Sequence, residues 1–257
     1  MKRLQKVDRE RVRKGRLMSV GHFGAYYAYR MGMDDKKIRY HAVVDDASAS
    51  SYVTGLRSCL YINGYQDIHG NILDVGCGMG SITNALNNLN TNGVSVGIDI
   101  SEDAIAVATD RYPNCKFYCQ SAENLRKFKD EYFDVIHARE FYPFTRTNDI
   151  KYELKFLKVF FRKLKPGGLV IVADATNKKG LCNNYLLCAG SLKKEGCTSI
   201  KKVDMLPLKF SALLGNLQKN KAIYLLSAYF ARLIFATKLD IFQGRSSGFF
   251  YTLKKQI

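Results

Sequence analysis

From Asn71 onward, short apolar runs alternate with stretches whose apolar residues recur at helical spacing. Asn71–Val75 reads as a strand, and Ser81–Asn90, with Ile82, Leu86 and Leu89 on one side, reads as a helix. Val94–Ile100 is a second strand. Ser101 is placed to cap the next helix, with Glu102 and Asp103 in its first turn, where the helix dipole favours acids. Cys115–Cys119 and Phe133–Ala138 are the third and fourth strands. Asp149–Lys165 is an amphipathic helix with Ile150, Leu154, Leu157, Phe161 and Leu164 on one face, ended by Pro166-Gly167-Gly168. Leu169–Ala173 is a fifth strand, Leu192–Gly196 closes a helix, Thr198–Val203 is a sixth strand and Gly248–Lys255 the last. Leu239–Gln243 is an alternative sixth strand, and a helical block fills roughly Leu208–Lys238. This alternation predicts an α/β fold: a doubly wound, mostly parallel seven-stranded sheet with helices on both faces and an antiparallel last strand.

Residues 1–70 lack the alternation. They carry an aromatic cluster, His22, Phe23, Tyr26, Tyr27 and Tyr29, on loosely helical segments. They read either as a lid over a ligand cleft or as a leader with packing helices. The organisation expected is a helical leader or lid over 1–70 and one domain over 71–257, with a helical insertion at about 204–247.

Composition adds two things. The net charge of +17 points to solvated lysines or to an anionic partner: nucleic acid, a membrane surface or an acidic substrate. Much of the surplus lies in Lys2–Arg16 and Lys193–Lys255. The cysteines number seven and form no Cys-x-x-Cys, so neither a disulfide framework nor a zinc site is expected, and reduced thiols suit a cytoplasmic protein. Met1–Arg16 has no apolar core of the kind a secretory signal needs. The longest apolar stretch, Ala222–Ala236, contains Arg232 and falls short of the roughly twenty residues of a membrane span. It reads as a buried or interfacial helix.

Chemistry concentrates at Ile72–Gly80, Ile-Leu-Asp-Val-Gly-Cys-Gly-Met-Gly. An apolar strand runs into Asp74 and then into alternating glycines, Gly76, Gly78 and Gly80. Glycine lets the backbone turn tightly and approach a ligand, and the helix that follows presents unpaired N–H groups to it. Asp99 ends the second strand nineteen residues beyond Gly80, where a carboxylate can accept both hydroxyls of a ribose. NAD and S-adenosylmethionine both fit so far. Three details favour the second. Ser81 stands where the dinucleotide fingerprint Gly-x-Gly-x-x-Gly has its third glycine. Asp74 would repel a pyrophosphate but attract an ammonium or sulfonium. The chain also ends in a strand that follows a helical excursion.

Ile72–Gly80, Gly97–Ser101, Ser121–Asn124, Phe133–Glu140 and Leu164–Val172 resemble, in order and spacing, the motifs of class I S-adenosylmethionine-dependent methyltransferases of the small-molecule type. The resemblance covers about Asn71–Ala173 and the last strand. It implies that Gly76, Cys77, Gly78 and Gly80 cradle the methionine part of the cofactor, with Asp74 near its ammonium or sulfonium. It implies that Asp99 holds the ribose, that Ile100 lies against the adenine, and that Ser121, Ala122 and Glu123 meet the adenine edge. Family members often carry Asp where Ser121 stands, and a hydroxyl accepts more weakly. S-adenosylhomocysteine would be the product.

The loop after the fourth strand, Arg139-Glu140-Phe141-Tyr142-Pro143-Phe144, should face the transferable methyl group. Phe141 is expected on the cofactor, and Arg139, Tyr142, Arg146, Tyr26 and Tyr27 on the substrate. Glu140, Tyr142, His22 and His41 are the candidate catalytic bases, and His137 reads as a core histidine. Many relatives with small-molecule substrates carry histidines where Pro143 and Phe144 stand. Tyr224 and Phe230, with Tyr26 and Tyr27, would help a substrate cover exclude water. The basic balance and the loop arginines suit a small anionic acceptor, methylated on oxygen rather than nitrogen. An RNA methyltransferase is the main rival, supported by charge alone. The fourth strand is followed by Ala-Arg-Glu-Phe rather than an Asn-Pro-Pro-Tyr-like tetrapeptide, and there is no Pro-Cys pair. An NAD-dependent oxidoreductase finds its Tyr-x-x-x-Lys only at Tyr251 and Lys255, far along the chain from the cleft. A non-catalytic cofactor-binding module is the third alternative.

Overall fold

The computed structural model describes residues 46–62, 64–65, 68–90, 92–145, 149–174, 190–204, 222–223, 226, 229–230 and 249–257. A helix α1 (Asp46–Ile62) precedes the first strand. Then come β1 (Ile72–Val75), α2 (Ser81–Leu89), β2 (Ser95–Asp99), α3 (Glu102–Arg111), β3 (Lys116–Cys119) and β4 (Phe133–Arg139). A short α4 (Tyr142–Thr145), α5 (Ile150–Lys163), β5 (Leu164–Asp174), β6 (Cys197–Asp204) and β7 (Phe249–Lys255) complete the order. Residues 190–194 are also helical.

The strands form one seven-stranded sheet in the order β3-β2-β1-β4-β5-β7-β6. The first five strands pair in parallel, and β7 runs antiparallel to both β5 and β6. Every residue of β1 and β2 is buried, as central parallel strands covered on both faces require. The chain winds outward from β1 to β3, returns, and winds the other way through β4 and β5. The winding therefore reverses between β1 and β4, and in such sheets the ligand cleft lies beyond the carboxyl ends of those strands.

Two cores flank the sheet. On one face, Ala49, Tyr52, Val53, Leu56 and Leu60 of α1 pack with Ile82 and Leu86 of α2 against Ile72, Val135, Ile171 and Ala173. On the other, α5 packs against Leu73, Val75, Ile136, Ala138, Val170 and Val172. Each fully buried Leu or Phe removed from water here stabilises the fold by roughly 1.5–3 kcal/mol.

Three local expectations shift. The buried face of α5 is Glu153, Phe156, Leu157, Phe160 and Phe161, with Ile150 and Leu154 on its half-buried edge. The three phenylalanines have the larger apolar area and take the centre of the core. Pro166-Gly167-Gly168 does not end the helix; α5 stops at Lys163, Leu164 is already extended, and the Pro-Gly-Gly lies inside β5. There the β4–β5 pairing changes register between Phe133 and Val135, so the extra residues form an irregularity rather than a turn. The sixth strand is Cys197–Asp204; Leu239–Gln243 and most of the expected insertion lie outside the described residues. Ser101 caps α3 as expected, its hydroxyl accepting the Ala104 N–H at 3.3 Å.

Candidate active site

The turn between β1 and α2 is built on left-handed backbone. Gly76, Gly78 and Gly80 have φ of 71°, 55° and 85°, a region that residues with a Cβ rarely adopt. The Gly76 and Cys77 N–H groups both donate to the Ile98 carbonyl, at 2.8 and 3.0 Å, which ties the turn to β2. Gly80 is the N-cap of α2, so no side chain caps the helix and its first-turn N–H groups face the cleft. Beneath Gly80 the packing is tight: an added Cβ would stand 2.7 Å from the Phe117 ring and 2.9 Å from the Ala108 Cβ.

Asp99 sits at the carboxyl end of β2, buried. Its Oδ2 accepts the Gly78 N–H at 2.9 Å and its Oδ1 accepts the Ser101 N–H at 3.0 Å. One carboxylate thus joins the glycine turn to the start of α3.

A second buried carboxylate lies under the turn. Asp74 Oδ1 meets His137 Nδ1 at 2.8 Å, and Asp74 Oδ2 accepts the Thr83 hydroxyl at 2.7 Å. His137 Nε2 lies 2.7 Å from the Tyr52 hydroxyl of α1. A neutral imidazole satisfies this chain, with Nδ1–H donating to Asp74 and Nε2 accepting from Tyr52. His137 is fully buried and hydrogen-bonded on both nitrogens, the core histidine expected of it. The Arg139 guanidinium lies over the Tyr52 ring, 4.4 Å from its centre. Arg139 Nε and Nη1 are buried and have no hydrogen-bond partner among the described residues. Two charge-assisted donors are therefore available at the mouth of β4.

Cys77 lies between the two acids. Burial pushes its thiol well above the usual range, and the Asp74 and Asp99 carboxylates push it further. It stays a neutral space-filling thiol, not a nucleophile. After β4 the backbone turns at Glu140, whose φ of 49° is left-handed although it carries a side chain. The turn delivers Phe141 to the glycine loop, where a Cβ on Gly76 would come within 3.3 Å of the Phe141 ring. Phe144, Phe156 and Phe160 hold that ring, with centroids 5.3, 5.3 and 6.3 Å away.

Asp74, Gly76, Cys77, Gly78, Gly80, Asp99 and Phe141 thus converge on one cleft. Ile100 continues β2, half-buried. Ser121 stands at its edge, its hydroxyl accepting the Glu123 N–H at 3.2 Å, while Ala122 is buried. Glu123 forms a surface ion pair with Lys155 at 3.2 Å. Tyr142 opens α4. His22, His41, Tyr26, Tyr27, Arg146 and Tyr224 lie outside the described residues. Phe230 is helical and 68% exposed. Tyr251 is buried in β7, and Lys255 Nζ donates to the Leu164 carbonyl at 2.7 Å and to Glu131 at 3.1 Å; that pair is structural. Among the described residues no group of acids, histidines and cysteines could hold a metal.

Three residues were not singled out from sequence. Thr83 is a buried hydroxyl on the otherwise apolar face of α2, which was its only signal. Tyr52 belongs to a segment without a motif. Gln120, whose N–H donates to the Asp99 carbonyl at 2.9 Å, has a buried side-chain nitrogen without a partner among the described residues.

A family profile described as "Methyltransferase domain" matches residues 67–227. The malonyl-[acyl-carrier protein] O-methyltransferase of Bacillus anthracis is 35% identical over 102 residues, 39% of this chain and 35% of that protein. Phosphoethanolamine N-methyltransferase 1 of Zea mays is 32% identical over 112 residues, 42% of this chain and 21% of that protein. The chain therefore aligns with about a third or less of these two relatives. Among solved structures, the plantazolicin methyltransferase BpumL, crystallised with a pentazolic desmethylPZN analog and SAH, superposes with a TM-score of 0.59 at 15% identity, covering 99% of this chain and 100% of that one.

Proposed function

The chain belongs to the methyltransferase-domain family, and on that footing we propose that it transfers the methyl group of S-adenosylmethionine to a small acceptor. The observation that carries the reading is the run of three left-handed glycines set over two buried carboxylates, Asp74 and Asp99. A cationic amino-acid moiety fits this arrangement, and a pyrophosphate does not. The SAH complex of the BpumL neighbour and the methyl-transfer names of both relatives agree with it.

When bound, the cofactor supplies a methyl group on a sulfonium whose leaving group departs as a neutral thioether. The chain therefore needs no acid. Gly76 and the α2 N-terminus would receive the methionine part, Asp99 the ribose hydroxyls, and Ile100, Gln120, Ser121 and Ala122 the adenine, with Glu123 at the outer edge. Asp74 acts from below as a fixed negative charge, oriented by Thr83 and His137. Phe141 presses on the reacting region and excludes water. Holding acceptor and methyl in line can supply about 7–11 kcal/mol of the barrier.

The acceptor we propose is small and anionic, engaged by Arg139, with transfer to oxygen. An oxyanion needs no base, whereas a hydroxyl would use Glu140 or Tyr142. The relatives' names include both O- and N-methylation, so the atom rests on Arg139 alone. The part of residues 1–70 that precedes α1 would complete the site as a lid and bring His22, His41, Tyr26 and Tyr27 to it.

Calorimetry with S-adenosylmethionine, S-adenosylhomocysteine and NAD tests the cofactor. The first two should bind, and Asp99→Ala should weaken both by about 1–3 kcal/mol. Binding of NAD alone would reject the reading. Cofactor consumption across carboxylate, phosphate, alcohol and RNA acceptors tests the substrate; turnover confined to RNA would favour the nucleic-acid alternative.

A further inference from the structure

We propose that the chain docks on an anionic lipid surface through a helical face carrying Ile223, Leu226, Tyr229 and Phe230. All four are helical, and they are 46%, 67%, 62% and 68% exposed. At about 100° per residue they fall, with exposed Ala222, within an arc of about 120°. The arc runs for about 12 Å along the axis. Aliphatic and aromatic residues that project together into solvent at helical spacing make a continuous apolar stripe, which a folded chain normally covers.

The charge around the stripe selects its occupant. Between Met205 and Leu239 the sequence holds Lys209, Lys219, Lys221, Arg232 and Lys238 and no acid. The whole chain carries +17. A second copy would bring the same positive segment face to face with this one, and the two would repel. An anionic bilayer offers the opposite sign to the lysines and a hydrocarbon boundary to the stripe. Tyr229 has the apolar body and polar tip that suit the headgroup level. The mode is peripheral: no described helix is long and apolar enough to cross a membrane.

The test is co-sedimentation of the full chain with vesicles of phosphatidylcholine alone and of phosphatidylcholine mixed with phosphatidylglycerol. The expected result is binding to the mixed vesicles that weakens at high salt and exceeds binding to neutral vesicles by roughly tenfold. Leu226→Gln with Tyr229→Gln should cut that binding by roughly tenfold while leaving the melting temperature and S-adenosylhomocysteine binding unchanged. Absence of binding to mixed vesicles would overturn the proposal. So would binding that the double variant retains in full, since charge alone would then account for it. A concentration-dependent dimer, seen by ultracentrifugation and lost in the double variant, would assign the face to self-association instead.

Discussion

A methyl group added at Gly80 would meet the Phe117 ring and Ala108 well inside van der Waals distance, on a backbone with φ of 85°. Gly80→Ala should therefore cost about 2–4 kcal/mol in a urea melt, strain and overpacking together. Gly76→Ala meets only the movable edge of Phe141 at 3.3 Å, so it should lose less stability and show its main effect as weaker cofactor binding in calorimetry. Glu140 supplies a third contrast. Its left-handed φ is strained in any residue with a Cβ, so Glu140→Gly should be more stable than Glu140→Ala by about 1 kcal/mol. The three glycines and Asp99 were legible because a strand-to-helix turn and the end of the neighbouring strand call for those residue types at that spacing, and Phe141 because it follows the fourth strand beside that turn. The Asp74–His137–Tyr52 chain was not: its partners lie 63 and 85 positions apart, and only the parallel pairing of β1 with β4 and the docking of α1 bring them together.

Helix α1 belongs to the region that showed no strand alternation, and its role emerges only on packing. The stripe Ala49, Tyr52, Val53, Leu56 and Leu60 does have helical spacing, but so short a pattern says nothing about which sheet face it covers. Its polar tether can be cut selectively. Tyr52→Phe keeps a ring beneath Arg139 and leaves His137 Nε2 buried without a donor, which should cost about 1–3 kcal/mol in denaturant unfolding. Tyr52→Leu also removes the ring face, and it alone should raise KM for an anionic acceptor. At the far end of α5, Lys163 donates to Asp130 at 2.7 Å and to the Phe128 carbonyl at 2.6 Å. The hydrogen bond and charge of Lys163 hold the Asp130 carboxyl below its ordinary value. A depressed carboxyl stabilises the fold above its unfolded pKa, and that contribution is lost as pH falls through the folded value. Asp130→Asn should thus lower the melting temperature slightly at neutral pH, with the difference closing at acid pH; a constant difference would contradict the sign.

At the scale of the whole molecule, parallel pairing explains why the central region was the most readable. Strands buried on both faces become apolar runs, and the helices between them carry a single apolar face, so β1, β2 and β4 leave strong marks. The start of β5 left none, because Lys165-Pro166-Gly167-Gly168 has turn chemistry and is drawn into the sheet by its neighbours β4 and β7. The site inherits this distribution: its floor comes from the readable strands β1, β2 and β4. A consequence concerns the stability of the entire fold. The cleft joins β1, β2, β4 and the starts of α2 and α3, so a ligand there ties together elements from both halves of the doubly wound sheet. Cofactor at about a hundred times its dissociation constant should add about 2.7 kcal/mol, which for a domain of this size raises the melting temperature by roughly 5–10 °C. NAD at the same concentration should leave it unmoved. Asp99→Ala, whose carboxylate also joins Gly78 to Ser101, should start from a lower melting temperature and gain much less from the ligand. A full ligand-induced rise in that variant would place the sugar elsewhere and remove Asp99 from the binding site.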